Sequence, residues 1–275
     1  MCKYKLSVIT INYNNRESLK RTIESVINQS NKDFEFIIID GGSVDGSVEV
    51  IKEYISQLSY WVSEKDHGIY HAMNKGVAAA NGEYCIFMNS GDMFYSNNVI
   101  ADVYNNGLSA DIVTGIIVSG VDKFPSKWFP PLSVSFATFY LGTLSHQASF
   151  IRTSLLLTTP YDENLRIVSD WKFFLQVLVI QNVSYKAIGI IVAQSDNTPG
   201  VGATNRMEAE VEQKQVLADI FPNRVLIDYE KMNKSMFSFK KKILKFTRRY
   251  RLTNQLTEAY LRYKYTPTSS ATSDT

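Results

Sequence analysis

Three times in its first third, the chain runs a near-continuous apolar stretch straight into a cluster of polar residues and glycines. Leu6–Ile11 ends at Asn12 and Asn14, Phe34–Ile39 at Asp40-Gly41-Gly42, and Tyr84–Met88 at Asn89-Ser90-Gly91-Asp92. Runs this short and this rich in β-branched residues read as strands buried on both faces. Helical patterns lie between them. Leu19, Ile23, Val26 and Ile27 share one face of Glu17–Gln29, Val48, Ile51 and Ile55 share one face of Ser47–Leu58, and Tyr70–Ala80 is alanine-rich. Tyr60–Ser63 reads as a further short strand. This alternation predicts βαβ units and a mostly parallel sheet with helices on both faces. In such sheets ligands bind outside the carboxyl ends of the strands. Asn12 and Asn14, Asp40 to Asp45, Asp66, and Asn89 to Asp92 all fall at those ends, so a cleft is expected there.

The second half is less regular. Asp111–Ser119 and Val183–Ala193 read as strands, Ser149–Ile151 as a short one, Ser169–Gln181 as a buried helix, and Asn205–Phe221 as a polar helix closing the body. Phe124–Pro131 reads as a Pro- and aromatic-rich loop, and Ser195–Asn205 as a loop with Pro199, Gly200 and Gly202. The expected organisation is one body over residues 1–222, in two halves at 1–110 and 111–222. A basic amphipathic helical tail over 223–265 and a disordered Ser/Thr-rich end over 266–275 follow it.

Charge divides along the same line. Residues 236–275 carry nine Lys/Arg and two acids, net +7, and the remainder carries 20 Lys/Arg and 25 acids, net −5. From Met236 to Tyr250, Met236, Phe239, Ile243, Phe246 and Tyr250 form one stripe, with Lys240, Lys241, Lys242, Lys245, Arg248 and Arg249 around the rest. That is the pattern of a helix lying in an anionic membrane surface over residues 236–251. It also fits a terminal helix docked on protein with solvated lysines. A nucleic-acid binder is a third reading, disfavoured because the acidic body offers no basic stripe. The longest apolar runs, such as Phe173–Ile180, fall short of the roughly 20 residues of a spanning helix. The run Leu6–Ile11 stops at asparagines, unlike a signal peptide. Two cysteines, Cys2 and Cys85, are spaced for neither a zinc cluster nor a disulfide framework. The expected setting is therefore the cytoplasm.

Each polar cluster taken singly has a plain reading as a turn or helix cap. Each also has a chemical one. The glycines of Asp40-Gly41-Gly42-Ser43-Val44-Asp45-Gly46 let a ligand approach the backbone. Asp66-His67-Gly68-Ile69-Tyr70-His71-Ala72-Met73-Asn74-Lys75-Gly76 opens a helix whose N-terminus favours anions, with Lys75 available to a phosphate. Asp92 suits Mg²⁺ or Mn²⁺, which takes one or two protein carboxylates plus substrate phosphates.

Together with Ser7-Val8-Ile9-Thr10-Ile11-Asn12-Tyr13-Asn14, these segments resemble the family-2 glycosyltransferases in order and spacing, over residues 5–200. The resemblance is closest to members that build bacterial surface polysaccharide repeat units. It implies a GT-A fold, an α/β Rossmann-like sheet, here with a C-terminal amphipathic helical extension. The implied activity is inverting, metal-assisted transfer of a sugar from a nucleotide-sugar, a UDP-sugar, to a saccharide on a polyprenyl carrier. By resemblance Thr10, Asn12, Asp40, Asp66, Asn74, Asn89 and Ser90 bind the nucleotide, with Asp40 on the uracil edge, and Asp92 holds Mn²⁺ or Mg²⁺. Many members have Asp-x-Asp-Asp at that strand end, and this chain keeps only the last carboxylate. Asp170, in Ser169-Asp170-Trp171, matches the general base at a helix head, with Asp162 and Glu163 as nearest rivals. His146, Gln147 and Trp171 fall on the acceptor side, and Gly200–Thr204 forms a loop over the diphosphate. Such an enzyme would sit peripherally on the inner face of the cell membrane. Two other readings are an inactive nucleotide-sugar-binding relative, suggested by the missing carboxylates, and a nucleotidyltransferase.

Overall fold

The computed structural model describes residues 3–120, 126–195 and 205–235. The chain divides into two compact units, residues 1–213 and 214–275. The expected diphosphate loop Gly200–Thr204, the membrane helix over 236–251 and the terminal 266–275 lie outside the described residues.

The first unit is built on one sheet. Strands β1 (Tyr4–Asn12), β2 (Phe34–Asp40), β3 (Tyr60–Ser63) and β4 (Gly82–Phe87) run parallel in the order β3-β2-β1-β4. Helices α1 (Arg16–Ile27), α2 (Ser47–Glu53) and α3 (Ile69–Ala79) connect them. Side-chain direction alternates along a strand, so both faces of β1 and β2 are buried. Leu6, Val8, Phe36 and Ile38 pack in one cluster with Leu19, Ile23 and Val26 of α1. Ile9 faces α3 so closely that a Cβ on Gly76 would lie 2.5 Å from Ile9 Cγ2. This two-sided burial is why these strands are almost wholly apolar.

Beyond β4 the sheet becomes mixed, where the pattern predicted a mostly parallel one. The order continues β8 (Ser149–Arg152), β6 (Ile112–Ser119), β9 (Tyr185–Ser195), β5 (Asp92–Phe94), and β7 (Ser126–Trp128) pairs off β6. β8 is antiparallel to both β4 and β6, and β6 and β9 are parallel. Because β8 is reversed, the residues just before it lie at the edge where β4 ends. That topology brings His146 and Gln147 to the cleft. β5, β7 and the helices α4 (Val99–Asn106), α5 (Phe136–Leu141) and α6 (Thr153–Thr158) are short elements that the periodicity did not resolve. The expected helix 169–181 is α7 (Ser169–Leu175) continued by a π turn over Gln176–Ile180. Cys85 is buried, and burial pushes its thiol up to about 12, so it packs as an apolar side chain. Helix α8 (Arg206–Ile220) begins in the first unit and ends in the second. In the second unit residues 223–235 are helical, and Lys234 pairs with Glu230 at 2.6 Å. Among the described residues no helix is long and apolar enough to cross a membrane.

Candidate active site

A cavity of about 730 Å³ opens at the carboxyl edge of β1, β2 and β4. Ile11, Asn12, Tyr13 and Asn15 line it from the end of β1, Gly41 and Gly42 from the end of β2, and Lys65, Asp66 and Ile69 from the entry to α3. Asn89 and Ser90 line it from the end of β4. Its wall is thin at Gly41, where a Cβ would stand 3.1 Å from Asp66 Oδ2 and 3.2 Å from the Tyr13 ring.

Asp40 is fully buried and organises the floor. Its Oδ1 accepts from Asn12 Nδ2 at 2.7 Å and Ser43 Oγ at 2.6 Å. Its Oδ2 accepts from Ser63 Oγ at 2.6 Å and from the backbone N–H groups of Ser43 at 2.9 Å and Gly42 at 3.2 Å. Burial pushes its pKa up, but the Ser43, Ser63 and Asn12 donors outweigh it and hold the carboxyl below its usual range. Every direction in which this carboxylate accepts is already filled by its own chain. As placed, the carboxylate shapes the loop that carries Gly41 and Gly42. Asn12 continues the network, its Oδ1 accepting from Ser90 Oγ at 2.7 Å. Asp45 ties the rim, accepting from the first N–H of α1 (Arg16, 2.9 Å) and of α2 (Ser47, 3.1 Å).

Thr10 is fully buried and donates to the Met88 carbonyl at 2.7 Å, so it ties β1 to β4 beneath the cavity and does not border it. Asp66 does border it. One oxygen accepts from Lys75 Nζ at 2.9 Å and faces His71 Nδ1 at 3.3 Å, and the other looks toward Gly41. Lys75 also pairs with Glu64 at 2.7 Å, so the cation expected at a phosphate is engaged by two carboxylates. Asn74 turns away. Its Nδ2 donates to Tyr161 O at 2.9 Å and Glu163 Oε1 at 2.8 Å, and its Oδ1 accepts from Tyr161 N at 3.0 Å. It clamps a turn at a separate, open cavity of about 610 Å³ that Asp162, Glu163 and Lys172 also line. Asp162 is bound to Lys172 at 2.6 Å. Both rival acids are thus held at that second cavity.

Thr22 of α1 pins the Asn89–Asp92 turn, its hydroxyl donating to Asp92 O at 2.8 Å and accepting from Gly91 N at 3.1 Å. Asp92 is 8% exposed at the start of β5. Among the described residues no group of three or more His, Cys, Asp and Glu side chains stands ready for a metal. A hard divalent cation needs only one or two protein carboxylates when diphosphate and water complete its shell, and Asp92 fits that donor set.

Behind Asn89 stands a second constellation. His146 Nε2 is 3.4 Å from Asn89 Nδ2, and His146 Nδ1 is 3.0 Å from Asp170 Oδ2. Asp170 Oδ1 accepts from Tyr70 Oη at 3.0 Å, a hydroxyl that also reaches Ile167 O at 2.5 Å. Burial pushes the Asp170 pKa up, but His146 and Tyr70 outweigh it and the carboxyl is held below its usual range. Burial pushes the imidazole down, and Asp170, helped by Asp92, more than reverses this so that its pKa is raised. Glu212 on α8 accepts from the N–H groups of Arg166 (2.8 Å), Ile167 (3.0 Å) and Val168 (3.1 Å), fixing the segment ahead of Asp170. Gln147 accepts from Ser145 Oγ at 2.8 Å beside His146. Trp171 is 3% exposed and donates its indole N–H to Phe139 O at 2.9 Å and Gly142 O at 3.2 Å. Buried in this way, it joins α7 to α5. Tyr13, 68% exposed at the rim, and Tyr70 were missed. Tyr13's place directly after Asn12 was the available signal for it.

A strand-end cavity with a carboxylate–imidazole pair near its wall, carried on a mixed α/β sheet, is the layout in which α/β proteins bind ligands. The chain belongs to glycosyl transferase family 2, whose family model matches residues 7–157. It is 32% identical over 222 residues to an uncharacterized glycosyltransferase of Mycobacterium tuberculosis, covering 78% of this chain and 83% of that one. Its fold is similar to that of Staphylococcus aureus TarS 1-349 in complex with UDP-GlcNAc, with a TM-score of 0.61 at 19% identity over 78% of this chain and 71% of that one. It is also similar to the mannosyltransferase PcManGT of Pyrobaculum calidifontis in complex with GDP-Man and Mn²⁺, with a TM-score of 0.59 at 13% identity over 78% and 64%. The sheet, the flanking helices and these likenesses make it a GT-A fold.

Proposed function

We propose that the chain is an inverting hexosyl- or N-acetylhexosaminyltransferase that moves a sugar from a UDP-sugar to a saccharide carried on a polyprenyl lipid, in surface polysaccharide biosynthesis. The observation that carries this reading is the cavity of about 730 Å³ at the strand ends, with Asn89 on its wall and Asp170 reached from Asn89 through His146. Asn12, Asp66, Asn89 and Ser90 border the nucleotide, and the exposed ring of Tyr13 offers a face for base stacking. Asp40 serves the nucleotide indirectly, by holding the loop that Gly41 and Gly42 open to it.

The base is assigned to Asp170, at the head of α7, which activates the acceptor hydroxyl against the anomeric carbon. His146 and Gln147 stand on the acceptor side. Mn²⁺ or Mg²⁺ held at Asp92 would supply the positive charge that stabilises the departing diphosphate. The cationic stripe of residues 236–251 supports a peripheral position on the anionic inner face of the cell membrane, where lipid-linked acceptors would be met.

Calorimetric titration with UDP and with GDP, in Mn²⁺ and in chelator, tests this reading. Expected are UDP binding that weakens at least tenfold in chelator, loss of that metal effect in Asp92→Ala, and lost turnover with intact UDP binding in Asp170→Asn. Absence of binding to either nucleotide under all conditions would overturn the assignment.

A further inference from the structure

The carboxylate at the head of α7 and the His146 ring are about equally exposed, 18% and 19% of their side chains, and it is the ring that reaches a cavity-lining residue. The ring places Nδ1 against Asp170 Oδ2 at 3.0 Å and Nε2 toward Asn89 at 3.4 Å. We propose that the base is a pair, in which His146 Nε2 takes the proton of the acceptor hydroxyl while Asp170 holds Nδ1–H and steadies the imidazolium that forms. This rests on the transfer reading above and deepens it.

Three features converge on that division of labour. Both oxygens of Asp170 are occupied, one by His146 and the other by Tyr70 Oη at 3.0 Å. Nε2 is the atom of the pair that meets a cavity-lining residue, Asn89. The two pKa directions agree, since the carboxyl is held down and the imidazole is raised, so a transferred proton rests more stably on the imidazole. Asn89 suits both protonation states. As placed, its Nδ2 faces a neutral Nε2 and its Oδ1 is buried without a partner among the described residues. Turned over, the amide would present that oxygen to the Nε2–H of an imidazolium. The titratable and charged groups facing the pair are Asp92 from β5, Tyr70 from α3 and Tyr161 from the turn ahead of α7.

In the step, the acceptor O–H bond breaks and its proton bonds to Nε2. The oxygen's electron pair forms the bond to the anomeric carbon, and the bond from that carbon to the diphosphate breaks with its pair leaving on the nucleoside diphosphate. The imidazolium then returns the proton to water. The arrangement follows the acid–imidazole logic of serine hydrolases, with a sugar hydroxyl in the place of the serine.

The test measures UDP release from a panel of UDP-hexoses and UDP-N-acetylhexosamines by the full chain in Mn²⁺, with water, free saccharides and saccharides carried on short polyprenyl diphosphates as acceptors, from pH 5 to 8.5. Wild type is compared with H146N, which keeps an amide N–H toward Asp170 but no nitrogen at the Nε2 position. The chain has three histidines, so the resonance lost in H146N identifies His146 in a titration followed by NMR. Expected are a wild-type kcat/KM that falls as pH drops, and the same titration midpoint for the His146 resonance. That midpoint should fall in D170N, and H146N should lose at least 100-fold in turnover while its UDP affinity changes less than threefold. A wild-type profile flat over this range, or an H146N enzyme within tenfold of wild type, would overturn the pair and return the proton to Asp170 alone. A folded wild type that releases no UDP from any donor overturns the transfer reading itself, and this inference with it.

Discussion

Replacing Asp40 by alanine isolates what a buried carboxylate contributes to the floor of the cavity. Five donors converge on it, of which the Ser43 and Ser63 hydroxyls can rotate to other acceptors. Asn12 Nδ2 keeps a second acceptor in Ser43 Oγ at 3.2 Å, whereas Gly42 N and Ser43 N cannot be redirected without moving the loop. A buried donor left without its acceptor costs about 1–3 kcal/mol. Gly42 and Ser43 are half-buried and recover part of that from water, so the low end applies to both, and the expected loss is roughly 2 kcal/mol. Urea unfolding at pH 7 should show a midpoint lower by about 1 M. The sign with pH follows from a folded pKa held below the usual 3.8. The contribution is fully present above 3.8 and is lost as pH falls through the folded value, so the gap between wild type and variant should narrow only in strong acid. A loss under about 1 kcal/mol at pH 7 with an unchanged m-value would refute the assignment of Asp40 as the loop's organiser.

Trp171→Phe should cost about 1–2 kcal/mol through its two lost indole bonds and leave UDP binding within twofold. A changed acceptor KM at unchanged stability would support the sugar-platform role instead. Asn74→Ala should loosen the 161–163 turn at a similar cost, and UDP binding weakened tenfold would contradict the clamp. Gly76→Ala drives a methyl against Ile9, and an overpacked contact of this kind should lower stability by about 1–3 kcal/mol. A thermal midpoint equal to wild type would show that α3 has room to retreat.

The elements that the sequence made legible are those whose burial is settled by a single periodicity. The runs in β1, β2 and β4 and the stripe of α1 announce themselves because both faces of the sheet are covered. β5 and β7 have three residues each and α5 and α6 six, too few to show a period, and pairing with β9 or β6 decides the two strands. At the site, residue type pointed to the correct edge but not to side-chain direction. Asn74 and Asn89 are both asparagines in ordered motifs, yet one turns to Tyr161 and the other to the cavity. His146 and Asp170 are 24 residues apart and meet only because β8 is reversed and α7 starts where Glu212 holds it. No local pattern encodes that meeting.

The position of β8 also bears on how the sheet is assembled. It lies between β4 and β6 but is synthesised after both. Until residue 152 has left the ribosome, those two strands present facing rows of unpaired backbone groups above strongly apolar faces. The order of synthesis and the order in the sheet are at odds, which raises contact order and slows closure. A chain arrested before Arg152 keeps both edges open and should be prone to aggregation and chaperone capture. Since His146 stands in the turn directly ahead of the inserted strand, closing the sheet also delivers the imidazole to Asp170, so a partly folded chain should lack the His146–Asp170 contact.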